Sequence, residues 1–326
     1  MRASRHNIYR MGKTTGQSVL ITGGAGYIGS MIVPELLNRG YKVRVLDSLV
    51  FNQTTLLPYL INENFEFRKG DIRDKDAVKK AVDGMDIIIH LAGIVGAPAC
   101  MRNPKLTEEV NFDGTVNVNS ARSPEQKFFY ASTGSVYGKV EDICTEKLTP
   151  KPLSLYGTTK LRGEQEVMNK GNAISYRFAT AFGLSARPRL DLLPNDFVFN
   201  AVKNRYLVVY DKEFKRTFIH VKDIVDAYLH GIENYDNMRN EVYNVGSDKM
   251  NKTKEEIAKM IREKINFEIL FVDKGIPDPD QRDYAVSYEK IHKKGFETKV
   301  TFDMGIAELI KGMQMIHIAN PFSNVI

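Results

Sequence analysis

The run Thr22-Gly-Gly-Ala-Gly-Tyr-Ile-Gly-Ser30 constrains this chain more than any other feature. It follows a short apolar stretch at residues 18–22 and opens a helical periodicity over residues 28–39. The chain therefore enters as a strand, turns through glycine and leaves as a helix. Gly23, Gly26 and Gly29 meet three demands: a tight turn, close approach of another group to the backbone, and close packing of helix on strand. The N–H groups and dipole at such a helix start, around Tyr27, Ile28 and Gly29, favour a pyrophosphate. Glycine also ends strands for purely structural reasons, so the weight of this loop rests on its context.

That context begins with Asp47, at the end of a second apolar run over residues 42–47. A carboxylate there can accept hydrogen bonds from both hydroxyls of an adenosine ribose. It would repel a 2'-phosphate, and no arginine follows it directly. The expected cofactor is therefore NAD rather than NADP; the competing reading is a helix-capping aspartate with no ligand.

Further along, short apolar runs alternate with helical periodicity, the pattern of parallel strands joined by helical crossovers. Strands are predicted at 18–22, 42–47, 65–69, 85–91, 127–131 and 173–178, and helices at 28–39, 75–82, 108–120 and 158–169. The expected fold class is α/β, a Rossmann-type doubly wound parallel sheet over residues 17–183. After Gly183 the texture changes, with Pro188 and Pro194 punctuating a loop-rich stretch. A smaller mixed α/β substrate-binding lobe is expected over 184–326, with strands at 206–210, 241–245 and 268–272 and helices at 223–233 and 254–265. The boundary is soft because elements interleave. Residues 1–16, with Arg2, Arg5, Arg10 and Lys13, read as a disordered basic extension.

Composition excludes several classes. No apolar run reaches the length of a membrane span. Cys100 and Cys144 are too few for a zinc motif or disulfide framework, which fits a reducing compartment and leads us to expect a cytoplasmic protein without a metal. The 46 Lys and Arg against 40 Asp and Glu give +6, but the excess is diffuse and has no aromatic-interleaved stripe. Neither a nucleic acid nor a membrane is expected as a partner.

Tyr156-Gly-Thr-Thr-Lys160 places a phenol and an ammonium on one face of a helix. This spacing alone is common. Here it lies downstream of the glycine loop and of Tyr130-Ala-Ser-Thr-Gly-Ser-Val-Tyr-Gly138, a hydroxyl-rich strand end, and strand ends are where such sheets present ligands. Removing hydride from a carbinol carbon requires a base for the hydroxyl proton, and a free phenol is a poor base at neutral pH. A full cation about 4 Å away is worth about 4 kcal/mol to the phenolate at an effective dielectric near 20. Tyr156 is the expected base, Lys160 its activator and a holder of the nicotinamide ribose, and Thr133 a partner to the same substrate oxygen.

Taken in order, the Gly-x-x-Gly-x-x-Gly loop, Asp47, Ser132-Thr-x-x-Val-Tyr-Gly138 and Tyr-x-x-x-Lys resemble the extended short-chain dehydrogenase/reductase family, from about Ser18 to Met315. The NAD-dependent nucleotide-sugar epimerases and dehydratases, including UDP-glucose 4-epimerases, are in this group. The resemblance implies Asp71 and Ile72 beside the adenine, Leu91, Ala92 and Gly93 under the cofactor, and Asn111 on the following helix. It implies Asn195 at the nucleotide diphosphate, with Arg216 and Arg282 as pyrophosphate clamps. It also implies a homodimer built through residues 108–120 and 158–169.

Departures from the family narrow the reaction. Dehydratases of the family carry an Asp-Glu pair directly after the catalytic Thr; here Gly134 and Ser135 stand there, which disfavours elimination of water. Thr180 replaces the Asn usual in galactose-type 4-epimerases. The run from Val95 to Cys100, with Asn103-Pro104 nearby, and the run over residues 186–197 resemble a branch that includes GDP-heptose 4-dehydrogenases. The expected function is oxidation or reduction at C4 of a nucleotide-diphosphate sugar, as a 4-epimerase or 4-dehydrogenase. The alternatives are a 4-ketoreductase and a non-catalytic NAD-binding sensor, a class that usually loses the Tyr or Lys kept here.

Overall fold

The computed structural model describes residues 16–140, 143–273 and 285–316. Most of the basic extension, and Arg282, lie outside the described residues. Twelve strands are present among them: β1 (Ser18–Thr22), β2 (Lys42–Asp47), β3 (Phe65–Lys69), β4 (Ile87–His90), β5 (Lys127–Thr133), β6 (Ala173–Phe178), β7 (Thr180–Phe182), β8 (Tyr206–Tyr210), β9 (Lys215–His220), β10 (Glu241–Val245), β11 (Asn251–Thr253) and β12 (Glu268–Val272). Seven form one parallel sheet in the order β10-β6-β5-β4-β1-β2-β3. This is the doubly wound arrangement expected. Its strand order reverses between β1 and β4, the place where such sheets bind ligands at their carboxyl ends.

Burial on both faces explains the unbroken apolar runs: every residue of β1 and β4 is buried. Side chains alternate between two cores. Phe129 of β5 packs with helices Gly29–Asn38 and Val221–Glu233 on one face, while Phe128 and Tyr130 face helices Lys75–Val82, Gly114–Ala121 and Leu155–Lys170 on the other. A further core, with Phe182, Phe197, Phe218, Ile257 and Phe302, sits around the antiparallel pair β11-β9, the parallel pair β7-β9 and the parallel pair β12-β8.

The structure corrects the sequence reading in several places. Residues 241–245, expected in the second lobe, form the edge strand of the large sheet, with Tyr243 opposite Tyr176. Helix Val221–Glu233 likewise packs on the first core, through Ile224, Tyr228 and Ile232. The stretch around Pro194 is not loop throughout: helix Leu193–Lys203 begins there, and a proline in the first turn forfeits no helical hydrogen bond. Finally, residues 108–120 are not one α-helix, because the turn Glu109–Asp113 is π-helical before helix Gly114–Ala121.

Candidate active site

Gly23 has φ +72°, and a Cβ on it would lie 2.8 Å from the Cα of Ala92, so only glycine lets the loop cross the β4 exit. The turn is tied by Gly23 N–H to Leu46 O (2.9 Å) and Gly26 N–H to Gly23 O (3.1 Å). The N–H groups of Tyr27 and Ile28, by contrast, have no backbone acceptor among the described residues. Donors left open at a helix start suit a pyrophosphate, so the loop fits a dinucleotide. The Tyr27 side chain points away from this cradle and donates to Gly183 O at 2.8 Å, joining the loop to the start of the second lobe.

Asp47 ends β2 beside the loop, accepting from Ala25 N–H (2.9 Å) and Leu49 N–H (2.8 Å). Burial raises its pKa, opposed by these two N–H donors and by the Arg187 cation. Each carboxylate oxygen keeps acceptor capacity for a ribose hydroxyl. Beyond β3, where the resemblance expects the adenine, Asp71 accepts from the Arg73 guanidinium (2.8 Å), which holds its carboxyl below the usual range, while Ile72 is buried against helix Gly114–Ala121.

Leu91, Ala92 and Gly93 leave β4 towards the same crevice. Leu91 N–H bonds Thr22 O (3.1 Å) and Ala92 N–H bonds the Thr22 hydroxyl (3.3 Å). Asn111 braces this exit: its Oδ1 accepts from Ile94 N–H (2.7 Å) and its Nδ2 donates to Ile94 O (2.9 Å). The π-helical turn presents Asn111 at that point. Beneath lies His90, bonded to Thr22 Oγ1 (2.7 Å) and Thr115 Oγ1 (3.0 Å); burial, with the Lys160 charge second, lowers its pKa to about 3, so it is neutral.

The expected catalytic residues come together at the carboxyl end of β5. Ser154 caps helix Leu155–Lys170, its Oγ accepting from Gly157 N–H at 3.1 Å, so the helix begins earlier than its periodicity indicates and puts Tyr156 in the first turn. A Cβ on Gly157 would lie 2.7 Å from Ser135 O. That close approach seats the Tyr156 turn on the turn that follows Thr133. Thr133 Oγ1 accepts from Ser135 N–H (3.2 Å) and lies 3.3 Å from Ser135 Oγ. One turn on, Lys160 Nζ sits 4.2 Å from the centre of the Tyr130 ring. Burial lowers Lys160 to about 7, against the opposing pull of Glu164. Its charge near neutrality is thus only partial, and not the full cation expected from the four-residue spacing.

Arg216 lines a small cavity with Gly134, Arg177, Thr180, Asn244 and Tyr288, next to Thr133. Gly134 brings no side chain to it. Asn195 is placed differently from expectation: fully buried, it accepts from Gly183 N–H (2.9 Å) and donates to Gly183 O (3.0 Å) and Arg189 O (2.8 Å). Both amide hydrogens are spent on backbone, so it ties the Gly183 turn to the Arg189 loop. Sequence reasoning missed Glu164 and Arg177, a buried ion pair beneath the site; the signal was Glu164 lying one helical turn beyond Lys160.

The family model described as NAD dependent epimerase/dehydratase matches residues 19–246. The chain belongs to this family. A UDP-glucose 4-epimerase of Oryza sativa subsp. japonica is 30% identical over 255 residues, covering 68% of each chain. A UDP-N-acetyl-alpha-D-glucosaminuronate decarboxylase of Bacillus cytotoxicus is 29% identical, covering 85% of this chain and 86% of the relative. Among solved structures, the UDP-glucose 4-epimerase of Thermus thermophilus in complex with NAD superposes with a TM-score of 0.79 at 26% identity, over 91% of this chain and 99% of that one.

Proposed function

We propose that the chain binds NAD in the glycine cradle and catalyses oxidation and reduction at C4 of a nucleotide-diphosphate sugar, as a 4-epimerase or 4-dehydrogenase. What supports this is the seating of the helix turn that carries Tyr156 on the turn after Thr133, with Lys160 Nζ over the Tyr130 ring of β5. When bound, NAD supplies the two-electron acceptor. Tyr156 takes the proton of the C4 hydroxyl as the C–H bond gives up its electron pair, and a C4 ketone results. Thr133 hydrogen-bonds the same oxygen and orients it. Lys160, whose pKa lies near neutrality, stabilises the phenolate in its protonated form.

Asp47 supports NAD over NADP by its charge at the ribose corner. Arg216, lining the cavity beside Thr133, is the candidate for the diphosphate, and Arg282 is proposed with it. The absence of an acid or base side chain at Gly134 weighs against dehydration. Incubation with UDP-, GDP-, CDP- and dTDP-sugars tests the reading: epimers without net NADH indicate an epimerase, and accumulating NADH and ketone a dehydrogenase. No change in any sugar removes the proposal.

A homodimer is proposed through the faces of helices Gly114–Ala121 and Leu155–Lys170, which lie side by side, Asn119 Nδ2 donating to Glu166 O at 3.1 Å. Light scattering at micromolar concentration tests it. A cytoplasmic location is proposed from the two buried free thiols, Cys100 and Cys144. No helix among the described residues is long and apolar enough to cross a membrane.

A further inference from the structure

One peptide unit, where the chain leaves β7 for the second lobe, is held from three sides. Its carbonyl, on Gly183, accepts from the Tyr27 hydroxyl of the glycine loop at 2.8 Å and from Asn195 Nδ2 at 3.0 Å. Its N–H, on Leu184, donates to Glu308 Oε2 at 3.1 Å, on helix Phe302–Met315. Glu308 is itself held by His220 and Lys222, each at 2.8 Å. Gly183 has φ +104°, and a Cβ on it would lie 2.2 Å from His220 Nε2, so only glycine passes here. The grip continues into the second lobe. Asn195 also accepts from Gly183 N–H (2.9 Å) and donates to Arg189 O (2.8 Å), which ties the loop over residues 186–191 and the first turn of helix Leu193–Lys203 to the same point.

Of the three side chains on this peptide unit, Tyr27 is the one that comes from the first lobe. Its own backbone belongs to the cradle, where the N–H groups of Tyr27 and Ile28 have no backbone acceptor among the described residues. One residue thus presents an N–H to the cofactor site and a hydroxyl to the junction of the lobes. Burial raises the pKa of this phenol, against the hydrogen bond with Asn195, so at neutral pH it keeps its proton and remains a donor. A ligand that fixes the backbone of a turn restricts the side chain it carries, and a segment bound to that side chain loses freedom with it.

We propose that Tyr27 is a positioning residue that couples occupancy of the glycine cradle to the order of the second lobe. Pyrophosphate held by the Tyr27 turn fixes that turn, the Tyr27 hydroxyl fixes the Gly183–Leu184 peptide unit, and Asn195 passes the constraint to the loop that carries Arg189. This rests on the reading of NAD as the cofactor. The substrate lobe is then fully ordered only on the cofactor-bound protein, so the sugar binds after NAD, and by reciprocity a bound sugar tightens the hold on NAD.

The test is amide hydrogen exchange of the full chain, stripped of nucleotide and then saturated with NAD, for wild type and Tyr27→Phe. The variant loses one hydroxyl, and Gly183 O keeps Asn195 Nδ2, so no buried acceptor is stranded. In wild type, NAD should slow exchange by about 5-fold or more at the glycine loop and again over residues 183–196, with little change in the pair β12-β8, which holds none of these residues. In Tyr27→Phe the glycine loop should still respond and residues 183–196 should not. An equal response over 183–196 in both proteins overturns the inference. Loss of NAD binding by the variant also overturns it, since the side chain would then serve the cradle itself. If the variant does not fold, the wild-type pattern decides: no change over 183–196, or a uniform change across the second lobe, overturns the coupling. A wild type whose glycine loop does not respond removes NAD as the cofactor first, so the two failures are distinct.

Discussion

Arg177 and Glu164 form a forked ion pair beneath the active site, Nη2 2.5 Å from Oε1 and Nε 3.1 Å from Oε2, with both side chains buried. Glu164 also accepts from Ser175 Oγ (2.9 Å), and Arg177 Nη1 reaches the Tyr137 hydroxyl (3.0 Å), which donates to Asn244 Oδ1 (2.7 Å). The chain of contacts runs from the helix of Tyr156 to the turn after Thr133 and on to β10. Removing one partner strands a buried charge. Glu164→Ala should therefore lower unfolding stability by about 3–5 kcal/mol, and Glu164→Leu with Arg177→Met should recover part of it. Urea unfolding measures both; a single variant within 1 kcal/mol of wild type, roughly the scale of a surface change, contradicts the claim.

Tyr156→Phe removes one hydroxyl from a ring that is already buried, so packing is retained. Turnover should fall about 10²–10⁴-fold, the range for loss of a positioned acid or base. Cofactor content, read by absorbance after denaturation, should stay at the wild-type ratio. Activity close to wild type would mean that another group takes the proton.

The buried Lys160 makes stability depend on pH in an uncommon direction. Its folded pKa of about 7 is below the ordinary 10.5, so between these values the unfolded chain holds the extra proton. Stability from this group therefore rises with pH across that window, and the full burial penalty applies below about 7. Lys160→Met should stabilise the cofactor-free protein by a few kcal/mol near pH 6, and the gain should shrink towards pH 10. Thermal melts of both proteins across that range give the difference; a constant offset rejects the assignment.

Glu308 behaves in the opposite sense. Burial alone would raise its pKa, but His220, 2.8 Å away, together with Lys222 and the Leu184 N–H, overcomes burial and holds it at about 2. The pair thus contributes stability above about pH 4.5 that disappears as pH falls towards 2. Since the carboxylate is half-buried, solvent screening limits this to about 1–2 kcal/mol. Glu308→Gln should lower the melting temperature at pH 7 and lose less than wild type on acidification to pH 3.

Strands with strong apolar runs were legible to the residue, as β1 and β6 show, because burial on both faces writes itself into composition. Which sheet accepts a strand is a long-range matter. Nothing within Glu241–Val245 distinguishes an edge beside β6 from a place in the other lobe, so its membership was unreadable. Pro194 misled because proline breaks a helix everywhere except its first turn.

The placement of Tyr156 and Lys160 on one helix, of Thr133 at the end of β5 and of Asp47 at the end of β2 was legible because motif spacing fixes such residues on local elements. Asn195 was expected at the diphosphate; in the fold both its amide hydrogens go to the backbone carbonyls of Gly183 and Arg189, contacts that only a folded loop creates. The stacking of Arg187 on Phe51 of the first lobe was not legible, because that contact is set by the docking of the lobes.

The return of the chain to pair β10 with β6 also decides how this protein can be cut. A fragment ending at Gly183 would contain the glycine loop, Asp47 and the Tyr156-Lys160 helix, yet it would present β6 with a bare row of peptide groups and expose Tyr176 and Phe129, which Tyr228 and Tyr235 now cover. An unpaired, apolar edge of that kind recruits other chains into mixed sheets. Expressed alone, the nucleotide-binding half should therefore collect as insoluble aggregate, and a soluble minimal version should require residues through Val245.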